Sequence, residues 1–265
     1  MIFTVMNQKG GVGKTTTVIN LGVYLAQQGH KVLLVDLDPQ ANLTSGLGLT
    51  APSEDNSKTD ITGKDRKART IYDVLINEQK ISEVFISTQI DNLFVVPSGI
   101  ELSGAEVEMV SMISRENVLK RALETAKSEY KYILIDCPPS LGILTINALT
   151  AADKVLVPIQ CEYFALEGLG QLMNTVKLVR GSLNQSLEVG GVILTMFDTR
   201  TNLSHDVANE VRNFFGEKVF AAVIPRNIRL SEAPSHGQPI AIYDPSSTGA
   251  KAYQDLAIEF SQRYP

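Results

Sequence analysis

The 265-residue chain holds only two cysteines, Cys137 and Cys161. That excludes a disulfide framework, and because both close apolar runs they read as reduced, buried thiols. No apolar run approaches the roughly 18 residues of a membrane span, and Met1 leads into an apolar stretch without a basic leader, so the expectation is a cytoplasmic chain. Positive charge is not in excess either. A net charge of −5 argues against a surface coated everywhere by nucleic acid, although a local basic face stays open. No internal repeat is present, and 44% hydrophobic with 20% charged residues excludes a disordered or fibrous chain. This length can bury a full core as one α/β domain over residues 1–265.

A further absence is glycine at position 8, where the general phosphate-loop pattern G-x-x-x-x-G-K-[ST] requires one and this chain has Gln8. What stands there is Gln8-Lys9-Gly10-Gly11-Val12-Gly13-Lys14-Thr15-Thr16, with a second lysine at the front of the loop. An apolar run at 2–6 precedes it, and 16–28 follows with Val18, Leu21, Leu25 and Ala26 at helical spacing. Strand, loop and helix are the context in which such a loop binds phosphate. Backbone N–H groups at Gly11, Gly13, Lys14 and Thr15 wrap the anion, since glycine permits close approach and the helix N-terminus adds partial positive charge. Lys14 then reaches the β/γ-phosphates of ATP, and the Thr15 hydroxyl ligates Mg²⁺.

Apolar runs recur at 32–35, 93–96, 132–135, 155–159, 189–194 and 219–224, with helical patterns at 107–127, 166–179, 204–215 and 250–262. Strands apolar on both faces and alternating with helices imply a doubly wound, mostly parallel sheet of seven or eight strands with helices on both faces. Ligands then sit at the carboxyl ends of the strands. Residues 51–70 interrupt the pattern. With Ile61 the one large apolar residue, and five basic against four acidic side chains, the segment reads as a mobile surface insertion.

Two acidic sites complete the expected nucleotide pocket. Val35-Asp36-Leu37-Asp38-Pro39-Gln40 puts two carboxylates at alternate positions, on one side if the strand persists through Asp38. A capping or turn role for Asp38 before Pro39 is the local alternative to a place in the nucleotide site. Tyr132-Ile133-Leu134-Ile135-Asp136 is a Walker B pattern, in which a rigid strand presents Asp136 to Mg²⁺.

The lysine-first loop resembles the deviant phosphate loop of the ParA/MinD ATPases. The resemblance to ParA/Soj partition ATPases extends over nearly the whole chain. It includes Asp36-Leu37-Asp38-Pro39-Gln40-Ala41-Asn42, Asp136-Cys137-Pro138-Pro139-Ser140, Cys161-Glu162-Tyr163-Phe164-Ala165-Leu166-Glu167-Gly168, and Ile224-Pro225-Arg226-Asn227 through Ser231-Glu232-Ala233-Pro234-Ser235. It implies that Lys9 reaches the nucleotide of a second subunit, that Asp36 lies close to the metal shell, that Asp38 positions the attacking water, an aspartate near pKa 3.9 being too weak a base to hold a proton taken early from it, and that Cys137-Pro138-Pro139-Ser140 is a γ-phosphate-sensing switch. Adenine would lie against Pro225 and be read by Asn227, with Thr195-Met196-Phe197-Asp198 on a neighbouring loop.

The implied activity is Mg²⁺-dependent ATP hydrolysis by a homodimer assembled on ATP. That dimer would bind DNA without sequence preference on the nucleoid, through Arg200, Lys218, Arg226 and Arg229, and be reset by a ParB-type partner. Between Met196 and Ser231 five basic residues face four acids, a weak excess that also fits a mixed solvated surface. Longer plasmid relatives carry an N-terminal helix-turn-helix domain, which is not expected here. MinD-like members end in a basic amphipathic membrane helix, whereas this tail contains Asp255 and Glu259, so stable membrane anchoring is not expected. Competing readings are a related ATPase that positions a non-DNA cargo, and a small-molecule ligase or reductase of the same fold. A reductase would use Cys137 and Cys161 to bridge an iron–sulfur cluster across a dimer.

Overall fold

The computed structural model describes residues 1–49, 69–163 and 167–265. The strands are β1 (Ile2–Val5), β2 (Val32–Asp36), β3 (Ile86–Ser87), β4 (Leu93–Val96), β5 (Tyr132–Asp136), β6 (Lys154–Gln160), β7 (Glu188–Phe197) and β8 (Val219–Pro225). They form one eight-stranded sheet in the order β3-β4-β2-β5-β1-β6-β7-β8. All neighbours are parallel except β3 and β4. The two-residue edge strand β3 was not among the expected apolar runs, because so short a strand carries no periodic signal.

The apolar runs split cleanly between two cores. Phe3, Val5, Val32, Leu34, Tyr132 and Leu134 face one side, while Ile2, Leu33, Val35, Ile133 and Ile135 face the other. Side chains alternate along a strand, so a sheet covered on both faces needs an apolar residue at every position. The first side is covered by α1 (Lys14–Gln27), which buries Val18, Leu21 and Leu25, and by the C-terminal helix. The helices in between are α2 (Asn42–Gly46), α3 (Ile71–Leu75), α4 (Leu102–Glu108), α5 (Val118–Leu123), α6 (Ile143–Ala151), α7 (Glu167–Ser182), α8 (Asn202–Phe215), α9 (Ile228–Glu232), α10 (Ile240–Tyr243) and α11 (Thr248–Arg263). Residues from α3 to α8 build the second core.

The tail helix is a core element. Helix α11 buries Ala250, Tyr253, Leu256, Ala257 and Phe260, and Glu259 accepts hydrogen bonds from the backbone N–H groups of Ala221 and Ala222 at 3.0 Å each. Its apolar face is occupied and its acid blunts the exposed edge of β8. Among the described residues no helix is long and apolar enough to cross a membrane.

The helix expected at 107–127 is broken. Met112 is extended, Ser114 is left-handed at φ 54, and 3-10 turns cover Met109–Ser111 and Arg115–Asn117. Serines and asparagine here offer the backbone local alternatives, and the freed groups find a tertiary partner. The buried Asn147 of α6 accepts from the Leu119 N–H at 3.1 Å and donates to the Arg115 carbonyl at 2.8 Å. Of the surface segment expected at 51–70, Arg69 and Thr70 are described and behave as a helix start. Thr70 caps α3, closing a capping box with Asp73, and Arg69 pairs with Glu83 at 3.0 Å. Residues 51–68 lie outside the described residues.

Candidate nucleotide site

The loop after β1 is anchored before it turns. Asn7 donates to the Pro158 carbonyl at 2.8 Å and accepts from the Lys9 N–H at 3.0 Å, tying the loop to β6. Gly11 and Gly13 have φ of 75° and 87°, the left-handed region that favours glycine. Gly13 is the cap of α1 and its carbonyl receives the Thr17 N–H at 2.9 Å, so Lys14 and Thr15 open the helix. Val12 is buried, and its carbonyl is clamped by the Thr195 hydroxyl at 2.9 Å. Gly10 and Gly11 have open space where a side chain would project, consistent with a loop that leaves room for a ligand.

Three carboxylates and one ammonium meet beside this loop. Asp36 and Asp136 are register partners on β2 and β5, which aims both to the same face of the sheet. Lys14 is 7% exposed and donates to the Lys9 carbonyl at 3.3 Å. Burial lowers its pKa, opposed first by Asp136 and then by Cys137 and Asp38. Asp136 is fully buried and neither carboxylate oxygen has a hydrogen-bond partner. Burial raises its pKa well above the usual range, with the charge of Asp36 adding to the effect; the nearby Thr15 hydroxyl and Lys14 oppose it more weakly. A buried carboxylate left unsatisfied is costly unless a cation or donor arrives. The orphaned oxygens of Asp136, beside Thr15, therefore fit Mg²⁺. Among the described residues no three acidic, histidine or cysteine side chains form a preformed cage. This suits an ion that keeps waters and takes phosphate oxygens alongside one or two protein ligands.

Asp36, expected close to the metal shell, lies beside Asp136 with its own oxygens already engaged. Its Oδ2 accepts from Thr44 N and Thr44 Oγ1 at 2.9 and 2.7 Å, and its Oδ1 from Asp38 N at 3.2 Å. Its carboxylate is engaged in holding the following loop. β2 ends at Asp36, so strand alternation does not aim Asp38. Asp38 instead closes a turn, its Oδ1 accepting from Gln40 N at 3.0 Å and its carbonyl from Ala41 N at 2.9 Å. It is nevertheless 8% exposed and close enough to act electrostatically on Lys14 and Asp136.

Burial pushes the Asp36 carboxyl from 3.8 to about 6. The folded state thus holds this proton more tightly than the unfolded chain, and the associated stability is complete at low pH and lost as pH rises through about 6. We expect the ligand-free wild type to lose about 2 kcal/mol relative to Asp36→Asn between pH 4 and pH 7. Chemical denaturation of both proteins at the two pH values measures this, and a gap independent of pH would count against it.

The remaining expected site residues divide. Lys9 is half-exposed, its ammonium 3.9 Å from Glu162, whose other oxygen lies 3.9 Å from Arg226. Thr16 opens α1 and receives the Asn20 amide on its carbonyl at 2.8 Å. The stretch Thr195-Met196-Phe197 belongs to β7 and not to a loop, and Arg226 N donates to the Phe197 carbonyl at 3.0 Å, so Pro225 ends β8 beside it. Both ends of the Asn227 amide are used. It caps α9 through Arg229 N at 2.8 Å and donates to Thr248 Oγ1 at 2.8 Å, so reading a base requires it to exchange partners.

Arg200 is 84% exposed and chelates Asp198 at 2.9 and 2.7 Å, holding that carboxyl far below its usual pKa. Arg229 pairs with Glu232 at 2.9 Å and Asp244 at 3.5 Å. Lys218 stands apart from the three arginines. It precedes β8 while Arg226 follows it, which places it at the opposite end of the sheet, in a cleft with Lys177, Arg180 and Glu188. A strand has two ends, and a charge count along the sequence does not distinguish them. The cysteines do not fit a cluster. Cys137 is buried against the Thr4 hydroxyl at 3.0 Å, and burial pushes the Cys137 and Cys161 thiols up to about 12 and about 11.

Sequence reasoning missed Asn7, Thr44 and Ser98. Asn7 had a local signal, since asparagine commonly bonds the N–H two residues on; the other two had none.

A parallel sheet whose first strand opens into a glycine loop and helix, with an acid at the end of a neighbouring strand, defines a P-loop nucleotide-binding protein. The AAA domain family profile matches residues 1–189. The sporulation initiation inhibitor protein Soj of Bacillus subtilis is 56% identical over 97% of each chain. The chromosome-partitioning ATPase Soj of Treponema pallidum is 52% identical over 97% of this chain and 96% of its own. Cobyrinic acid a,c-diamide synthase from Mycobacterium smegmatis, solved with bound ADP and magnesium, superposes with a TM-score of 0.82 at 36% identity, covering 99% of this chain and 94% of that one. The chain belongs to the Soj/ParA family of chromosome-partitioning ATPases.

Proposed function

We propose that this protein is a DNA-segregating ATPase which binds ATP with Mg²⁺, dimerises on it, holds DNA non-specifically in that state, and is reset by slow hydrolysis that a ParB-type partner accelerates. What carries the reading is the orphaned Asp136 beside a lysine-first loop, in a chain 56% identical along its length to a Soj protein. In this reading Gly11, Gly13, Lys14 and Thr15 offer N–H groups to the phosphates, and Lys14 neutralises them from a site already shielded from water. Thr15 and Asp136 hold Mg²⁺, which supplies charge neutralisation at the β/γ oxygens when bound. Asp38 orients the attacking water. Lys9, free to leave its weak contact with Glu162, reaches the nucleotide of the second subunit. The ligase reading has less support, since the synthase neighbour stands at 36% identity against 50–56% for the partition proteins.

Arg200, Arg226 and Arg229 all lie at or beyond the carboxyl ends of β7 and β8, and each is paired with an acid on the protein. Exposed pairs contribute only about 0–1 kcal/mol, so DNA phosphates compete for these arginines. Joining two subunits doubles the patch and makes affinity depend on the nucleotide. With about two phosphates neutralised per subunit, log K should fall with log salt at a slope near −3.6. Binding to unrelated duplexes, with ATP and with ADP, tests this for wild type and an Arg200→Ala/Arg226→Ala variant. Equal affinity in the two nucleotide states, or a double variant that dimerises and binds normally, would defeat the assignment.

A further inference from the structure

We infer that Thr44 is a positioning residue for ATP hydrolysis, its hydroxyl locking Asp36 and, through Asp36, the backbone of Asp38. The inference rests on the ATPase reading above and adds the device that aims Asp38.

Asp38 has left the strand, so something other than β-geometry must set its direction. The loop that carries it is also strained, because Ala41 sits at φ 51, a left-handed conformation that costs a non-glycine residue roughly 1–2 kcal/mol. Asp36 supplies the restraint, gripping the Asp38 N–H with one oxygen and both Thr44 donors with the other. Thr44 in turn is tied to the loop after the neighbouring strand β4, its Oγ1 accepting from the backbone N–H of Ser98 at 3.1 Å. The proton direction along this chain is unambiguous. Ser98 N–H can only donate and the Asp36 carboxylate only accept, so the Thr44 hydroxyl must receive from Ser98 and give to Asp36. Thr44 is 1% exposed, and Asp36 and Ser98 are fully buried, so water does not replace a lost link. With Asp38 Oδ1 spent on Gln40, its other oxygen makes no hydrogen bond among the described residues and is the one left for water.

Thr44→Val keeps the shape, removes the hydroxyl and leaves the Ser98 N–H unsatisfied. Thr44→Ser keeps the hydroxyl. In ATPase assays with Mg²⁺ we expect Thr44→Val to lower kcat about tenfold or more while ATP affinity stays within about threefold, because charge-assisted hydrogen bonds of this kind are among the stronger ones. Thr44→Ser should recover most of the rate. A role in stability alone would instead lower ATP affinity and melting temperature together with kcat, and that result overturns the inference, as does a wild-type rate in Thr44→Val. Asp36→Asn probes the same lock from the other side. Its amide cannot accept from both Asp38 N and Thr44 Oγ1, so kcat should again fall with affinity retained, and this variant decides the matter if Thr44→Val does not fold. Wild type that fails to hydrolyse ATP would sink the ATPase reading itself. Active wild type, inactive Asp38→Ala and normal Thr44→Val would sink only the role of Thr44.

Discussion

Lys14→Ala is expected to abolish measurable ATP binding. Lys14 is the buried cation among Asp36, Asp38 and Asp136, and its pKa already reflects the tension between burial and those carboxylates. Truncating one partner of a buried charge pair across a binding interface costs about 2–5 kcal/mol, which corresponds to a loss of roughly thirtyfold to several thousandfold in affinity. An incoming triphosphate would add negative charge to a pocket with three acids and no ammonium. Alanine is a strong helix former at the start of α1, so the fold should survive and the defect should be one of binding. Calorimetric titration with ATP and Mg²⁺ reads this directly. Affinity within a few fold of wild type would remove the phosphate-loop assignment altogether.

Asp38→Ala should leave the opposite signature. The phosphate contacts proposed for Lys14 and the glycine turn would remain, as would the metal contact proposed for Asp136, while the group proposed to aim water would be gone. We expect hydrolysis to fall about a hundredfold or more, with ATP affinity preserved and a long-lived ATP dimer detectable by size-exclusion chromatography. The local role of Asp38 sharpens the experiment. Its Oδ1 closes a turn with Gln40 N, so Asp38→Asn, which keeps an acceptor for that turn, should be as slow as alanine if water orientation by the carboxylate is what matters. Hydrolysis at the wild-type rate in either variant would take Asp38 out of the mechanism.

How much of this was legible in advance depended on the distance over which each feature is decided. The phosphate loop and the strands were readable because a glycine turn, a helix start and a doubly buried strand are each written within about ten residues. The helix expected at 107–127 failed for the converse reason. Its apolar spacing was sound, but Asn147 of α6 offers the backbone hydrogen bonds that a continuous helix would have kept to itself. Asp36 and Asp38 were found as a pair with roles implied by the resemblance, but the alternation that would aim both one way ends with the strand at Asp36. The partner that holds Asp36, Thr44, comes from α2 and is itself held by the Ser98 N–H from the loop after β4, and no periodicity links those positions.

The chain's order of residues alone determined the presence of a glycine-rich loop of phosphate-binding type, the class of sheet and the want of cysteines for a disulfide framework, since each follows from residue type and near-neighbour spacing. Which charges meet was left to the tertiary structure. Parallel strands are ordered in space differently from their order in sequence, so only the sheet places β2 against β5 and thereby Asp36 against Asp136. The same geometry separates Lys218 from Arg226 by the length of β8. Electrostatic energy depends on separation through space and on burial, and a sequence specifies neither until the sheet has closed around the loop.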